Sequence, residues 1–132
     1  MAVEEPHVAR LAPATLGQGV TTVNAGAYTG AQADRGFGKF LGTCAQCHGV
    51  DLGGVDCPPL VGAAFIARWP SVGELFDHVL EFMPADNPGT LDGQATADLV
   101  AYILQANGYP AGTKELPAAD PAMRSLRIEP RR

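Results

Sequence analysis

Residues 42–50 read GTCAQCHGV, in which two residues separate a pair of cysteines and a histidine follows directly. This stretch constrains the chain more than any other, because Cys44, Cys47 and His48 place three soft or borderline ligands within five residues. A Cys-x-x-Cys pair is typical of a redox disulfide, of half a zinc site, or of the attachment point of a covalently bound haem. The rest of the sequence has to distinguish these chemistries.

Length and composition predict one small domain with many turns. The chain has 132 residues, of which 16 are glycine and 11 are proline, and its aromatic content is 7%. Such a core is small, so a buried cofactor would add useful apolar surface. The net charge of −5, without a run of basic residues interleaved with aromatic ones, argues against nucleic acid as a partner.

No stretch reaches the roughly 18 consecutive apolar residues that a membrane-spanning helix requires. The first residues, MAVEEPHVARLAP, carry two glutamates where a secretory signal peptide needs positive charge and then an apolar run. We therefore expect no integral membrane segment. The chain is either made in the cytosol or has lost a targeting segment.

Two amphipathic helices are predicted from capping residues and apolar periodicity. The first begins at Thr29, with Gln32 completing a capping box, and runs into the cysteine motif. The second begins at Ser71, with Glu74 in the same role, and ends at Pro84. The predicted apolar face of the first helix consists of Ala33, Gly36, Phe37, Phe40 and Leu41.

A third helix is predicted from Asp92 to Asn107, where Gly108 stops it. Residues 47–69 show no strand alternation and are rich in glycine and proline, so a compact loop is expected there. The predicted fold class is all-α, with three main helices and long loops.

The flanking segments lack helical or alternating periodicity. Residues 1–28 are predicted to form an extended N-terminal arm, residues 29–112 the folded domain, and residues 113–132 a C-terminal tail. The tail contains prolines and four arginines, which indicate a loose, solvated or partner-contacting end.

Haem attachment accounts for more of the motif than zinc or disulfide chemistry does. A zinc site lacks a second ligand pair, because Cys57 lies ten residues further on and His7 and His78 stand alone. A thioredoxin-like disulfide needs a βαβ context, whereas a helix precedes this motif. Two thiols at this spacing can instead add to the two vinyl groups of a porphyrin, with His48 bound to the iron. The other two chemistries remain open as alternatives.

An electron-carrying haem also needs a second axial ligand, and a thioether sulfur raises its reduction potential. Met1 and Met123 lie in the predicted loose ends. Met83 lies 35 residues after His48, on the apolar stripe of the second helix and directly before Pro84. Met83 is therefore the predicted ligand, and the alternative role for a single methionine is a flexible core residue.

His78 is the alternative axial ligand. At 100° per residue it shares a helix face with Glu74 and Glu81, opposite the apolar stripe, so we expect it on a solvated face. Turning that face inward would bury unpaired carboxylates. If Met83 does not bind the iron, an open site would instead indicate a haem enzyme or a gas sensor.

Residues 30 to 110 resemble the class I c-type cytochromes, which are small all-α monohaem electron carriers. CAQCH matches their attachment motif, and Gly36 and Phe40 precede it at the spacing by which the first helix of the family crosses its last. Leu99 and Tyr102 match the partner positions on that last helix. The resemblance implies the small cytochrome c fold around one haem c per chain.

The resemblance also implies roles for residues outside the motif. PPLVG at 58–62 resembles the loop whose proline carbonyl accepts a hydrogen bond from the proximal histidine, so Pro58 would orient His48. MP at 83 and 84 resembles the distal-ligand loop. Trp69 would donate its indole N–H to a haem propionate, or else be a core aromatic residue. Arg68 is a second candidate for a propionate partner, or else a solvated side chain.

FMPADNPGTL and AYILQANGYPAG are similar to the haem domains and partner cytochromes of quinoprotein dehydrogenases. This similarity implies a one-electron carrier, not itself an enzyme, that receives electrons from a periplasmic dehydrogenase and passes them to an oxidase or another cytochrome. It also implies a periplasmic location with the signal peptide removed. It implies nothing about the oligomeric state.

Two further expectations concern the surroundings of the haem. Phe40, Leu60 and Phe82, together with the third helix, are expected to exclude water from the iron. Cys57 has no counterpart in the pattern, and it is either a small buried apolar residue or a free reactive thiol.

Overall fold

The computed structural model describes residues 20–119 and 121–132, which contain five α-helices and no β-strand. The helices are α1 (Gly30–Thr43), α2 (Ala45–His48), α3 (Ala63–Arg68), α4 (Val72–Phe82) and α5 (Gly93–Ala106). Two 3-10 turns, Val23–Ala25 and Pro121–Ser125, lie in the flanking segments. The predicted all-α class is confirmed, and α1, α4 and α5 are its three main helices.

The three main helices begin at the predicted capping residues. The side-chain oxygens of Thr29, Ser71 and Asp92 each accept a hydrogen bond from a backbone N–H group in the first turn. The Ser71 hydroxyl also donates to the carboxylate of Glu74 at 3.2 Å. Polar capping groups satisfy N–H groups that a helix start leaves without partners, which explains why these helices begin where they do.

The short helices α2 and α3 are not among the predicted elements. Helix α3 lies within residues 47–69, for which the sequence predicts only a loop. Its six residues read AAFIAR and bury only Phe65, so they are too few to show a helical period. The prediction of a continuous loop is wrong at this point.

Helices α1 and α5 cross where Gly36 faces Asp98. A Cβ atom at Gly36 would lie 1.9 Å from the carbonyl oxygen of Asp98 and 2.9 Å from the Cβ of Tyr102. The rings of Phe37 and Phe40 contact Tyr102, with centroids 5.3 and 5.4 Å apart. Only glycine permits this approach, which agrees with the crossing expected from Gly36 and Phe40.

A buried charge cluster lies at the same crossing. Asp98 is 1% exposed, and its carboxylate accepts hydrogen bonds from Arg35, Lys39 and Gln94 at 2.8–3.2 Å. Burial by itself raises the pKa of Asp98, but these hydrogen bonds outweigh burial, so that the pKa lies below its usual value. The cluster joins α1 to α5 beside the glycine contact.

The described flanking segments pack against the helices. Leu116, Met123, Leu126 and Ile128 are each at most 5% exposed. The side-chain amide of Gln32 does not complete the predicted capping box, because it exchanges two hydrogen bonds with the backbone of Leu116, at 2.8 and 2.9 Å.

Backbone hydrogen bonds complete this attachment. The N–H groups of Val23 and Val72 donate to Arg127 and Leu126, and Gly112 donates to Tyr28. The expectation of a loose tail is therefore wrong, since its apolar residues cover the core between α1 and α4. Residues 1–19 of the predicted arm lie outside the described residues, and the boundaries at 28 and 112 stay predictions.

No helix within the described ranges is both long and apolar enough to cross a membrane.

Replacing Gly36 by alanine should lower the free energy of unfolding by about 3 kcal/mol, because the new methyl group would overlap backbone atoms of α5. Gly38 is the matched control on the same helix, since nothing lies within 4 Å of a Cβ atom there. Gly38→Ala should stabilise by up to about 1 kcal/mol through helix propensity. Urea unfolding followed by circular dichroism compares the two variants, and equal effects would contradict the close crossing.

Asp98→Asn should lower the free energy of unfolding at pH 7 by roughly 1–3 kcal/mol, because Arg35 and Lys39 would lose a charged partner. The folded-state pKa of Asp98 lies below its unfolded value, so the contribution of its carboxylate to the free energy of unfolding is present above about pH 3.9. It is lost as the pH falls through the folded-state pKa. Urea unfolding at pH 7 and pH 3 should show a difference between variant and wild type that shrinks at the lower pH.

Candidate cofactor site

A cavity of about 410 Å³ lies between α2, α3, α4, α5 and the loop that follows α2. Its volume falls within the range of about 300–1,000 Å³ that is typical of ligand and cofactor pockets. The predicted site residues that line it are Cys44, Cys47, His48, Pro58, Trp69 and Met83. Residues from separate segments therefore meet at one cavity.

His48, the last residue of α2, is 7% exposed and lines this cavity. Its Nδ1 atom lies 2.7 Å from the carbonyl oxygen of Pro58. Because a carbonyl oxygen can only accept, Nδ1 carries a proton, and in the neutral imidazole the free lone pair then lies on Nε2. A neutral imidazole fixed in this way is a ready metal ligand, and the contact matches the one expected between Pro58 and His48.

The two cysteines of the motif lie one helical turn apart. Cys44 caps α1 at its C-terminal end, and the N–H groups of Cys47 and His48 donate to its carbonyl oxygen at 3.2 and 3.0 Å. This turn places both thiols at the same cavity. Burial raises the pKa of Cys44 to about 11, so its thiol stays protonated at neutral pH.

The loop after α2 is folded back onto the motif by hydrogen bonds. The carbonyl oxygen of Cys47 accepts from the N–H groups of Val55, Asp56 and Cys57 at 3.0–3.1 Å. The carbonyl oxygen of His48 accepts from Gly54, whose φ of 91° suits glycine. These bonds bring the proline after Cys57 to the imidazole.

Asn107 joins this loop to the end of α5. Its side-chain amide donates to the carbonyl oxygens of Leu60 and Ile103 at 2.9 Å and accepts from the N–H of Gly62 at 3.0 Å. The sequence predicts Asn107 only as a helix stop. Its second role depends on a contact across 45 residues, for which the local pattern contains no signal.

Met83 lines the cavity at the C-terminal end of α4 and precedes a cis peptide bond to Pro84. Met123, which the sequence places in a loose end, is instead 4% exposed within the packed C-terminal segment and does not line the cavity. Met1 lies outside the described residues. Among the described methionines, Met83 is thus the one at the cavity.

A basic side chain and two ring side chains form another part of the cavity wall. The Arg68 guanidinium lies 4.0 Å from the ring centroid of Trp69, and the Trp69 ring lies 4.9 Å from that of His78. All three residues line the cavity. The indole N–H of Trp69 has no acceptor within residues 20–119 and 121–132, so a bound carboxylate would provide one.

His78 differs from its predicted position on a solvated face. Trp69 covers that face of α4, and His78 is half-buried between Trp69 and Phe82. Burial, followed by the charge of Arg68, lowers the pKa of His78. Two possible axial ligands, His78 and Met83, therefore line the cavity.

The residues that were predicted to exclude water from the iron do not all line the cavity. Leu60 lines the cavity, whereas Phe40 is fully buried at the α1–α5 crossing. Phe82 is 55% exposed and does not line the cavity, so it cannot exclude water there. Leu99 and Ile103 of α5 contribute apolar wall in its place.

Cys57 is the third thiol of the cavity. It is only partly buried, and the neighbouring Cys47 thiol raises the pKa of Cys57. Within the described ranges, no group of three or more His, Cys, Asp or Glu side chains is arranged to hold a metal ion. Those residues thus provide no support for a zinc site.

These residues fit a covalently attached haem. Two thiols lie one turn apart, an imidazole with a free Nε2 follows them, and a thioether lies elsewhere in the same cavity. A cation and an unpaired indole N–H are available for propionate groups.

Comparison with known proteins adds family evidence. The family model described as "Cytochrome C oxidase, cbb3-type, subunit III" matches residues 31–103. The crystal structure of the sulfane dehydrogenase SoxCD from Paracoccus pantotrophus is similar, with 27% sequence identity and a TM-score of 0.54. That match covers 59% of this chain, which spans only 44% of the matched chain. The comparison with curated proteins gives no match.

The matched residues contain the attachment motif, the Met83–Pro84 pair and most of both crossing helices. The chain therefore belongs to the cytochrome family described as cytochrome c oxidase, cbb3-type, subunit III, and its cofactor is covalently bound haem c.

Proposed function

We propose that this protein is a one-electron carrier whose haem c is attached through Cys44 and Cys47 and is ligated by His48 and Met83. The observation that carries the proposal is the meeting of the motif and Met83 at one cavity, although they come from α2 and the end of α4. Haem c, held by these residues, would supply an iron that gains and loses one electron.

The protein side chains would set the reduction potential and protect the site. The carbonyl oxygen of Pro58 fixes the ring of His48 and increases its basicity as a ligand. Leu99 and Ile103 exclude water from one side of the cavity. No general base would be required of the protein, because the transfer of one electron does not itself move a proton.

Arg68 and Trp69 are the proposed partners of the haem propionates. Both line the cavity, and their stacked arrangement fixes the guanidinium beside the indole. A guanidinium can pair with a carboxylate in a partly buried site, which lowers the cost of burying that charge. Trp69 would add a neutral hydrogen bond.

The proposed electron donor is a periplasmic dehydrogenase. The sequence phrases around Met83 and Tyr102 favour a quinoprotein, and the similar solved structure is a sulfane dehydrogenase, so dehydrogenase is the class that both support. The proposed acceptor is a terminal oxidase or another cytochrome. The protein would act as a separate carrier or as a subunit of such a complex. Haem c is attached outside the cytoplasmic membrane in bacteria with such proteins, which supports the periplasmic location.

The first test of this function is haem content. Protein produced with haem-attachment machinery should give a pyridine haemochrome corresponding to one haem per chain, and the haem should stay with the polypeptide on a denaturing gel. The double variant Cys44→Ser/Cys47→Ser should contain no covalent haem, because both thioethers need a thiol. Colourless wild-type protein would refute the proposal.

The second test identifies the sixth ligand. Met83→Ala should remove the sulfur-to-iron charge-transfer band of the ferric protein and open the iron to carbon monoxide. It should also lower the reduction potential, because the thioether favours ferrous iron. His78→Phe is the matched control, since His78 lines the same cavity on the same helix. That variant should keep the band.

The reverse pattern would assign His78 as the ligand. A wild-type protein that binds carbon monoxide as readily as Met83→Ala would indicate the alternative function, a haem enzyme or gas sensor with an open sixth site.

A further inference from the structure

Helix α4 lies between the cofactor cavity and the C-terminal segment, residues 121–128, and Met83 follows the last residue of this helix. The 3-10 turn of the segment packs against α4. At about 100° per residue, Gly73 and Asp77 lie on one face of the helix, opposite the face that lines the cavity. The cavity face consists of Leu75, His78 and Val79. The segment therefore supports α4 from the side opposite the cavity.

The segment approaches α4 closely at Gly73. A Cβ atom there would lie 2.9 Å from both the backbone nitrogen and the α-carbon of Arg124. Carbon atoms in favourable contact are about 3.5–4.0 Å apart, so only glycine permits this approach. One turn further along α4, the carboxylate of Asp77 accepts a hydrogen bond from the guanidinium of Arg124 at 2.6 Å. Arg124 thus lies against α4 with its backbone and its side chain.

Backbone hydrogen bonds attach the segment to the start of α4. The N–H of Val72 donates to the carbonyl oxygen of Leu126, and the N–H of Ile128 donates to that of Pro70, both at 2.9 Å. The two bonds lie on either side of the capping residue Ser71. Leu126 and Ile128 are at most 5% exposed. The first turn of α4 and the segment are therefore held together as one packed unit.

The helix connects this contact to Met83. Gly73 and Met83 are ten positions apart, which is roughly 15 Å along a helix axis. The N–H of Met83 donates to the carbonyl oxygen of Val79 at 3.2 Å, so Met83 is attached to the last turn. A hydrogen-bonded helix moves as a rigid element, so a displacement of its first turn also displaces Met83.

We infer that the C-terminal segment is a positioning element that acts through α4 to hold Met83 in place, and thereby sets how strongly its sulfur binds the iron. The inference rests on the proposed function in taking Met83 as the axial ligand. Gly73 and Arg124 are the positioning residues. Neither residue lines the cavity, so both act only through α4. The alternative is a segment that only adds stability to the fold.

Gly73→Ala in the haem-containing protein tests the inference. The new methyl group would push α4 away from Arg124, and the resulting strain is relieved when the sulfur leaves the iron. Added imidazole competes with Met83 for ferric iron, and its binding removes the sulfur-to-iron charge-transfer band. The apparent affinity for imidazole should therefore rise about tenfold, which corresponds to about 1.4 kcal/mol.

Gly93→Ala is the matched control. A Cβ atom at Gly93 would lie 2.9 Å from the carbonyl oxygen of Ala118, which precedes the segment in the chain. The overlap is of the same kind, but it falls on α5, which carries no proposed axial ligand. Both variants should unfold at lower urea concentration than wild type, and only Gly73→Ala should bind imidazole more tightly. Equal imidazole affinities of the two variants would overturn the inference.

Arg124→Ala provides a second measurement that does not depend on the folding of Gly73→Ala. It removes the exposed ion pair with Asp77 and should raise the imidazole affinity about twofold at low salt. Arg127→Ala is its control, because Arg127 pairs with Glu129 at 3.3 Å and not with α4. An Arg124→Ala protein with the imidazole affinity of Arg127→Ala would overturn the inference.

The spectrum of the wild-type protein separates this inference from the proposed function. A ferric wild-type protein without the charge-transfer band would contradict the assignment of Met83 as ligand, and the inference with it. An intact wild-type band, together with equal imidazole affinities in each pair of variants, would overturn the inference alone.

Discussion

The close approach of α1 to α5 at Gly36 is the contact on which the other features of the fold depend. Helix α1 leads directly into the motif, and α5 contributes Leu99 and Ile103 to the cavity wall, so the angle at which they cross sets the position of the cofactor. The buried carboxylate of Asp98 holds the two helices together from the side, through cations on α1. The absence of a side chain at Gly36 and the ion pairs of Asp98 thus determine the α1–α5 crossing together.

The two sides of the cavity are built by different means. On the side of His48, backbone hydrogen bonds hold an irregular loop, and the ring is oriented by a carbonyl oxygen. On the side of Met83, a regular amphipathic helix ends at the cavity, and Met83 follows its last residue with an extended backbone. The irregular side also contains Cys57, so the loop that orients the imidazole supplies the extra thiol.

The main helices could be predicted because caps and periodicity are local signals, and Met83 could be assigned to the site because the other methionines lie in the flanking segments. Thr29 and the motif itself are examples, and the resemblance to a known family added the contact of Pro58. The failures concern contacts between distant segments. The helical period predicted His78 on a solvated face of α4, but Trp69, which follows α3, covers that face. Gln32 fitted a capping box locally and instead bonds to a residue 84 positions away.

The amide of Asn107 has a consequence for how the protein fluctuates. It ties the carbonyl oxygen of Leu60 and the N–H of Gly62 to the last turn of α5. Opening of the loop that holds Pro58 against His48 therefore also breaks two hydrogen bonds to the side chain of Asn107. Opening of the loop is thus coupled to the C-terminal end of α5, and these bonds add to the free energy that is needed to release the proximal imidazole.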